Sequence, residues 1–312
     1  MTYASGGLIQ ASDYQALAWT NPSIGGQWGI GTGQHGLGQN TSGITLPSNG
    51  VAIGNPVTAA QWVSLIQSIN SCLAHEGQPT ITPTSVTAGN IITYYSSIAT
   101  GSAAAYNNTG TTSVLTAGST NTTSFSGTWG STGSRSLVFT QTMTFPSGDA
   151  ARYFFNGGGN IALTFTRSGG SATNRNTEWT QLATDCGTIK FGFLNTTKTG
   201  GGGASPTTIL NAGNGGYWNG TGSYVTNFKQ LDNVGNYSSN YIKADYFWSG
   251  SIANGGYPIL NLKTTWVNAW INASQDTVDG VSSTSLVLNS PATTYITNTW
   301  GTPVFSGSVA AV

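Results

Sequence analysis

The chain has 312 residues, 38% apolar and 11% aromatic, which is enough to build real cores and excludes a disordered polymer. Only 6% of residues are charged and the formal net charge is zero, so no basic stripe is available for a nucleic-acid backbone. With 44 glycines, the surface is expected to be neutral and polar, which favours a protein held in an assembly over a freely diffusing enzyme.

The charges are placed unevenly. All nine basic residues lie at Arg135 or later, and before that point only Asp13 and Glu76 are charged. Two segments with different surfaces are implied. The first residues lack the basic and apolar regions of a secretory signal, and no apolar run approaches the roughly 18 residues of a membrane span. No secretory signal and no membrane span are therefore expected. Two cysteines, Cys72 and Cys186, make no disulfide framework and read as buried thiols.

In chain order, Ser12 or Asp13 can cap a short helix through Trp19, with Tyr14, Leu17 and Ala18 on one face. Asn21-Pro22 stops it. The glycine-dense stretch that follows contains Gly31-Thr-Gly-Gln-His-Gly36, a GxGxxG match without the preceding strand, following helix or later acidic residue that a dinucleotide site needs. No cofactor is expected there.

The next helix is the best specified. Thr58 and Gln61 have capping-box spacing, and Val57 and Trp62 can form a hydrophobic staple. Trp62, Leu65, Ile66, Ile69 and Leu73 then fall on one apolar stripe about four turns long. The stripe must be buried, against the helix of Tyr14 and Trp19, the same helix of neighbouring subunits, or both. These seven residues are accordingly the candidate attachment and oligomerisation face. Residues 86–98 fit either a helix or a pair of strands. Residues 101–134, rich in Gly, Ser, Thr and Asn, fit a linker or short turn-rich strands.

From Arg135 the pattern becomes β. Leu137, Phe139, Gln141, Met143 and Phe145 alternate with smaller polar residues as one strand. Arg152 to Asn156, the glycines 157–159 and the alternating Ile161, Leu163 and Phe165 read as a β-hairpin. Asn176 to Cys186 suggests a helix over the sheet, and further strands recur near 188–194, 224–231, 241–248, 258–270 and 285–288, with 294–299 a weaker candidate. The expected fold is mainly β: a small α-helical N-terminal part (1–100), the polar stretch 101–134, and an antiparallel β-sandwich or jelly-roll-like domain (135–312).

No catalytic constellation stands out. Cys72 and His75 share a helix face but read as a core thiol and a helix-terminal histidine, and two Cys with two His lack zinc-site spacing. Asp149, Glu178, Asp185, Asp232, Asp245, Asp276 and Asp279 are carboxylates that a glycosidase could use, yet possession of seven is no sign of one. Asp276 to Asp279 resembles a turn, a thin basis for calcium. Tyr217 and Trp218, beside Asn219, are the candidate glycan contact.

Four segments together resemble structural proteins from the virions of tailed bacteriophages, notably cyanobacterial and marine ones: Gly6 to Tyr14, Trp28 to Gln39, Val57 to Trp62 and Tyr153 to Gly158. The resemblance implies a non-enzymatic particle component located in the virion, a neck, tail or baseplate appendage or fibre. Its first part would dock on other virion proteins and its β domain would be exposed. It would be homo-oligomeric, with a trimer among the options. The alternative is a receptor-binding adhesin that recognises host surface glycan.

Overall fold

The computed structural model describes residues 11–18, 51–52, 54–75, 78–82, 95–107, 115–156, 158–193, 195–202, 209–210, 215–217, 222–233, 235–250, 257–270, 277–291 and 300–312. The chain divides into two compact units, one of Met1–Val114 with Pro291–Thr299 and one of Leu115–Ser290 with Trp300–Val312. The GxGxxG loop, Trp19, Trp218 and the weak strand at 294–299 lie outside the described residues.

The first unit carries helices α1 (Ala11–Ala18), α2 (Ala59–His75) and α3 (Tyr95–Asn107). The start of α2 follows its sequence: the Thr58 amide donates to Gln61 Oε1 at 2.7 Å and the Gln61 amide donates to Thr58 Oγ1 at 3.3 Å, a reciprocal capping box. Trp62, Leu65, Ile66, Ile69 and Leu73 are all buried, and the Tyr14 ring meets Trp62 edge-on at 5.3 Å. Asn70 acts as a surrogate strand. Its side chain accepts from the Ile81 amide at 2.7 Å and donates to the Ile81 carbonyl at 3.1 Å, holding 78–82 beside α2. The segment 86–98, open between helix and strand, is helical from Tyr95 onward.

The second unit is an antiparallel sandwich. One sheet has the order β1 (Leu115–Phe125), β10 (Val281–Pro291), β3 (Asn160–Ser168), β4 (Thr188–Phe191), β5 (Thr196–Thr199). The other runs β11 (Val304–Ala311), β2 (Ser136–Thr144), β9 (Ile259–Val267), β8 (Tyr241–Ser249), β7 (Val225–Leu231), β6 (Ile209–Leu210). Nesting of β1 on β10 and of β2 on β9 is jelly-roll winding; the β6 to β9 meander departs from it. Polar 101–134 is neither a linker nor a set of short strands throughout: it holds the end of α3 and the 11-residue β1. As an edge strand, β1 needs few apolar residues, and it is matched to β10 by hydroxyl pairs at 2.8 Å, Thr122 with Ser285 and Ser124 with Ser283.

The inner faces follow the period of two. Leu137, Phe139 and Met143 on β2 point inward with Ile161, Leu163 and Phe165 on β3, and Phe165 stacks on Phe228 of β7 at 5.8 Å. Buried polar pairs interrupt this core across the two sheets: Thr284 donates its hydroxyl to Gln141 Oε1 at 3.1 Å, and the Asn227 side-chain amide donates to Thr196 Oγ1. At one end of the sandwich, α5 (Asn174–Asp185) inserts Trp179, which stacks on Trp266 at 5.9 Å and meets Trp129 at 4.7 Å.

The expected hairpin at 152–165 is corrected. Its second strand is β3, but its first strand is helix α4 (Gly148–Asn156). Ser147 caps the helix by accepting from the Ala150 amide at 3.0 Å, and Ala150, Ala151, Phe154 and Phe155 form its buried face. The glycines end a helix rather than turn a hairpin. Gly158 has φ of +89°, its amide reaches the Phe155 carbonyl, and the Gly159 amide reaches that of Phe154, both at 3.0 Å, which is a Schellman closure.

Candidate functional site

Scarcity makes charge informative in this chain, and most of the described arginines are committed to the interior. Arg152 is buried and pairs with Asp149 at 3.3 Å. Arg167, also buried, donates to the Asn176 carbonyl and to Thr180 Oγ1 on α5. Burial lowers its pKa, which the Asp279 charge partly opposes. Asp279 in turn accepts from the Asn176 side chain and from the Ser171 amide and hydroxyl, and these hydrogen bonds hold its carboxyl below the ordinary 3.8. This cluster ties α5 to β3 and to the start of β10. It is an anchoring knot.

The lysines behave differently. On β8, Tyr241, Lys243, Asp245 and Phe247 occupy the positions that alternate with the buried Ile242, Ala244, Tyr246 and Trp248, so they share the outer face of the six-stranded sheet, where Asp245 is itself buried at 3% exposed. Register places Lys229 of β7 directly opposite Lys243, and Lys263 of β9 opposite Asp245. Lys243 Nζ lies 2.8 Å and Lys263 Nζ 3.7 Å from the same oxygen of Asp245, which also accepts from Thr226 Oγ1 at 2.6 Å on its other oxygen. Lys263 also stands 4.6 Å over the Tyr224 ring, and Lys229 4.1 Å over Tyr241. Tyr224 is 40% exposed and meets Phe247 edge-on at 4.7 Å. Asp245 is the one acidic residue on β7, β8 and β9, so three lysines and one carboxylate leave this face with two positive charges.

The sequence-predicted contacts fall elsewhere. Tyr217 is not a glycan platform: it is 1% exposed, stacked on Phe155 at 4.6 Å and edge-on to Trp248 at 4.7 Å. Its hydroxyl donates to the Gly148 carbonyl at 3.4 Å and accepts from the Tyr257 amide at 2.9 Å, and burial pushes its pKa up. The stripe of Trp62, Leu65, Ile66, Ile69 and Leu73, together with Tyr14, is core in this chain and offers no free face to a neighbour. Sequence reasoning missed the lysine face. The signal was present as Tyr-x-Lys-x-Asp-x-Phe on one strand, but it needed the β7–β8–β9 register to become a cluster.

The other candidates among the described residues are a lone thiol and an uncharged groove. Cys186 is a buried free thiol whose pKa burial raises well above the ordinary value. Among the described residues no group of three or more His, Cys, Asp and Glu could hold a metal ion. Likewise, no described helix is long and apolar enough to cross a membrane. A groove of about 470 Å³ in the first unit, between residues 78–82 and α3, is lined by residues such as Thr80, Ser97 and Thr100 and contains no titratable group. No protein-family model, curated protein or solved structure matches the chain.

Proposed function

We propose that this chain is a structural, non-enzymatic component of a tailed-phage virion, homo-oligomeric, docked on other virion proteins through its first unit and presenting the β-sandwich. The observation that carries the reading is how charge is used. In a chain with 6% charged residues, Arg152, Arg167 and Arg175 are buried, so few charges are left for the surface. A surface so sparsely charged suits permanent neighbours better than free diffusion. The resemblance of four segments to tailed-phage virion proteins points the same way. The buried α2 stripe makes the first unit's own core, so docking falls to that unit's remaining surface.

The test is composition of purified particles. Gradient-purified virions of the phage encoding the chain are expected to contain it at a fixed ratio to the major capsid protein through successive gradients. Loss of the chain from the particle peak refutes the proposal. A second reading, an adhesin for host surface glycan, is favoured by the outward lysine–aromatic face on β7, β8 and β9.

A further inference from the structure

We propose that the outer face of β7, β8 and β9 binds a carboxylated polysaccharide, a chain of uronic-acid-type sugars, with Lys229, Lys243 and Lys263 taking the carboxylates and Tyr224 stacking on a sugar ring. The inference deepens the adhesin reading and rests on it for its biological setting, but its chemistry stands on this face alone.

Three features converge. First, Lys229 and Lys243 are in register on neighbouring strands, a like-charge arrangement that weakens a sheet and is relieved by an anion laid across it. Second, the face is left with a surplus of cations. Lys243 and Lys263 share one carboxylate, Asp245, while Lys229 is held against the Tyr241 ring. Third, a cation and a 40% exposed ring lie together: Lys263 stands 4.6 Å over one face of Tyr224, and the Phe247 ring meets Tyr224 at 4.7 Å and 82°. A uronic acid presents both complementary groups on one ring, a carboxylate and an apolar C–H face. The three lysines span three adjacent strands, about 10 Å at ordinary strand spacing, which fits an extended polymer with repeated carboxylates better than one small anion. A nucleic acid is the less suitable polyanion, because the surplus of two charges is small against its dense phosphates.

The full chain is titrated with polygalacturonate, with neutral dextran and with a single-stranded oligonucleotide, at low and at raised salt. Binding is expected to polygalacturonate, weakening with salt, with none to dextran. Each of Lys229→Gln, Lys243→Gln and Lys263→Gln should weaken binding about 2–5-fold, and Tyr224→Ala about 2–10-fold. Lys190→Gln, on the outer face of the other sheet, should leave it unchanged. Melting curves matching wild type confirm that these surface variants fold, and any variant that melts early is replaced by Lys→Arg at the same position, which should retain binding. Equal binding to dextran, tighter binding to the oligonucleotide, no binding to polygalacturonate, or lysine variants that bind like wild type each overturn the proposal. Particles that contain the chain while the purified chain ignores polygalacturonate would defeat this inference and leave the virion reading intact. Binding by a chain absent from particles would do the reverse.

Discussion

Ser147→Ala tests the helix at 148–156, whose first turn supplies the amide that Ser147 caps. The Ser147 hydroxyl accepts from the Ala150 amide at 3.0 Å, and Ala150 is 4% exposed, so water cannot easily replace the lost acceptor. Cap removal costs about 0.5–2 kcal/mol in general, and the buried donor places this site in the upper half, about 1–2 kcal/mol. For a unit of this size each kcal/mol moves Tm by roughly 2–4 °C, so a fall of about 2–8 °C is expected. Gly158→Ala should add a similar loss, since φ of +89° puts a Cβ in the left-handed region. The assay is urea unfolding followed by tryptophan fluorescence, which reports the Trp129, Trp179 and Trp266 cluster in the same unit. A Ser147→Ala change below about 0.3 kcal/mol at unchanged m-value would refute the helix cap.

Two other predictions concern polar groups that hold the sandwich. Gln141→Leu should destabilise by about 1–3 kcal/mol by orphaning the buried Thr284 hydroxyl, and adding Thr284→Val should recover part of that loss; a strictly additive double variant in urea melts contradicts the pairing. Because hydrogen bonds hold the Asp279 pKa below its ordinary value of 3.8, the stabilising contribution is full above that value and is lost as pH falls through the lowered one. Asp279→Asn should therefore melt below wild type at about pH 6, with the gap closing toward about pH 2. A gap that widens on acidification contradicts the sign.

Much of the fold was legible because its signals were local. The Thr58–Gln61 capping box and the spacing of Trp62, Leu65, Ile66, Ile69 and Leu73 define α2 without tertiary help, and the alternation from Leu137 to Met143 defines β2. The 153–155 aromatic run misled because Tyr and Phe favour strands, while the opposing signals, Ser147 as cap and Ala150 with Phe154 on one face, lay mostly upstream. Strand β1 was invisible for a different reason: most of its residues are exposed at a sheet edge, so burial imposes no alternation on them. The site was the least legible part. Tyr217 reads as an exposed ring beside asparagine, yet packing against Phe155 and Trp248 consumes both its face and its edge. Lys229, Lys243 and Lys263 are scattered in sequence and become neighbours only through the β7–β8–β9 register.

The central claim, a virion component anchored by its first unit and displaying its sandwich, is tested most directly by immunogold electron microscopy of intact particles with two antibodies. One is raised against an exposed β1 peptide, residues 116–120, and the other against a first-unit peptide, residues 54–60. The account predicts that the β1 antibody decorates intact virions at a defined position while the first-unit antibody labels only disassembled ones. Labelling in the opposite pattern, or particles that neither antibody marks before or after disassembly, would contradict it.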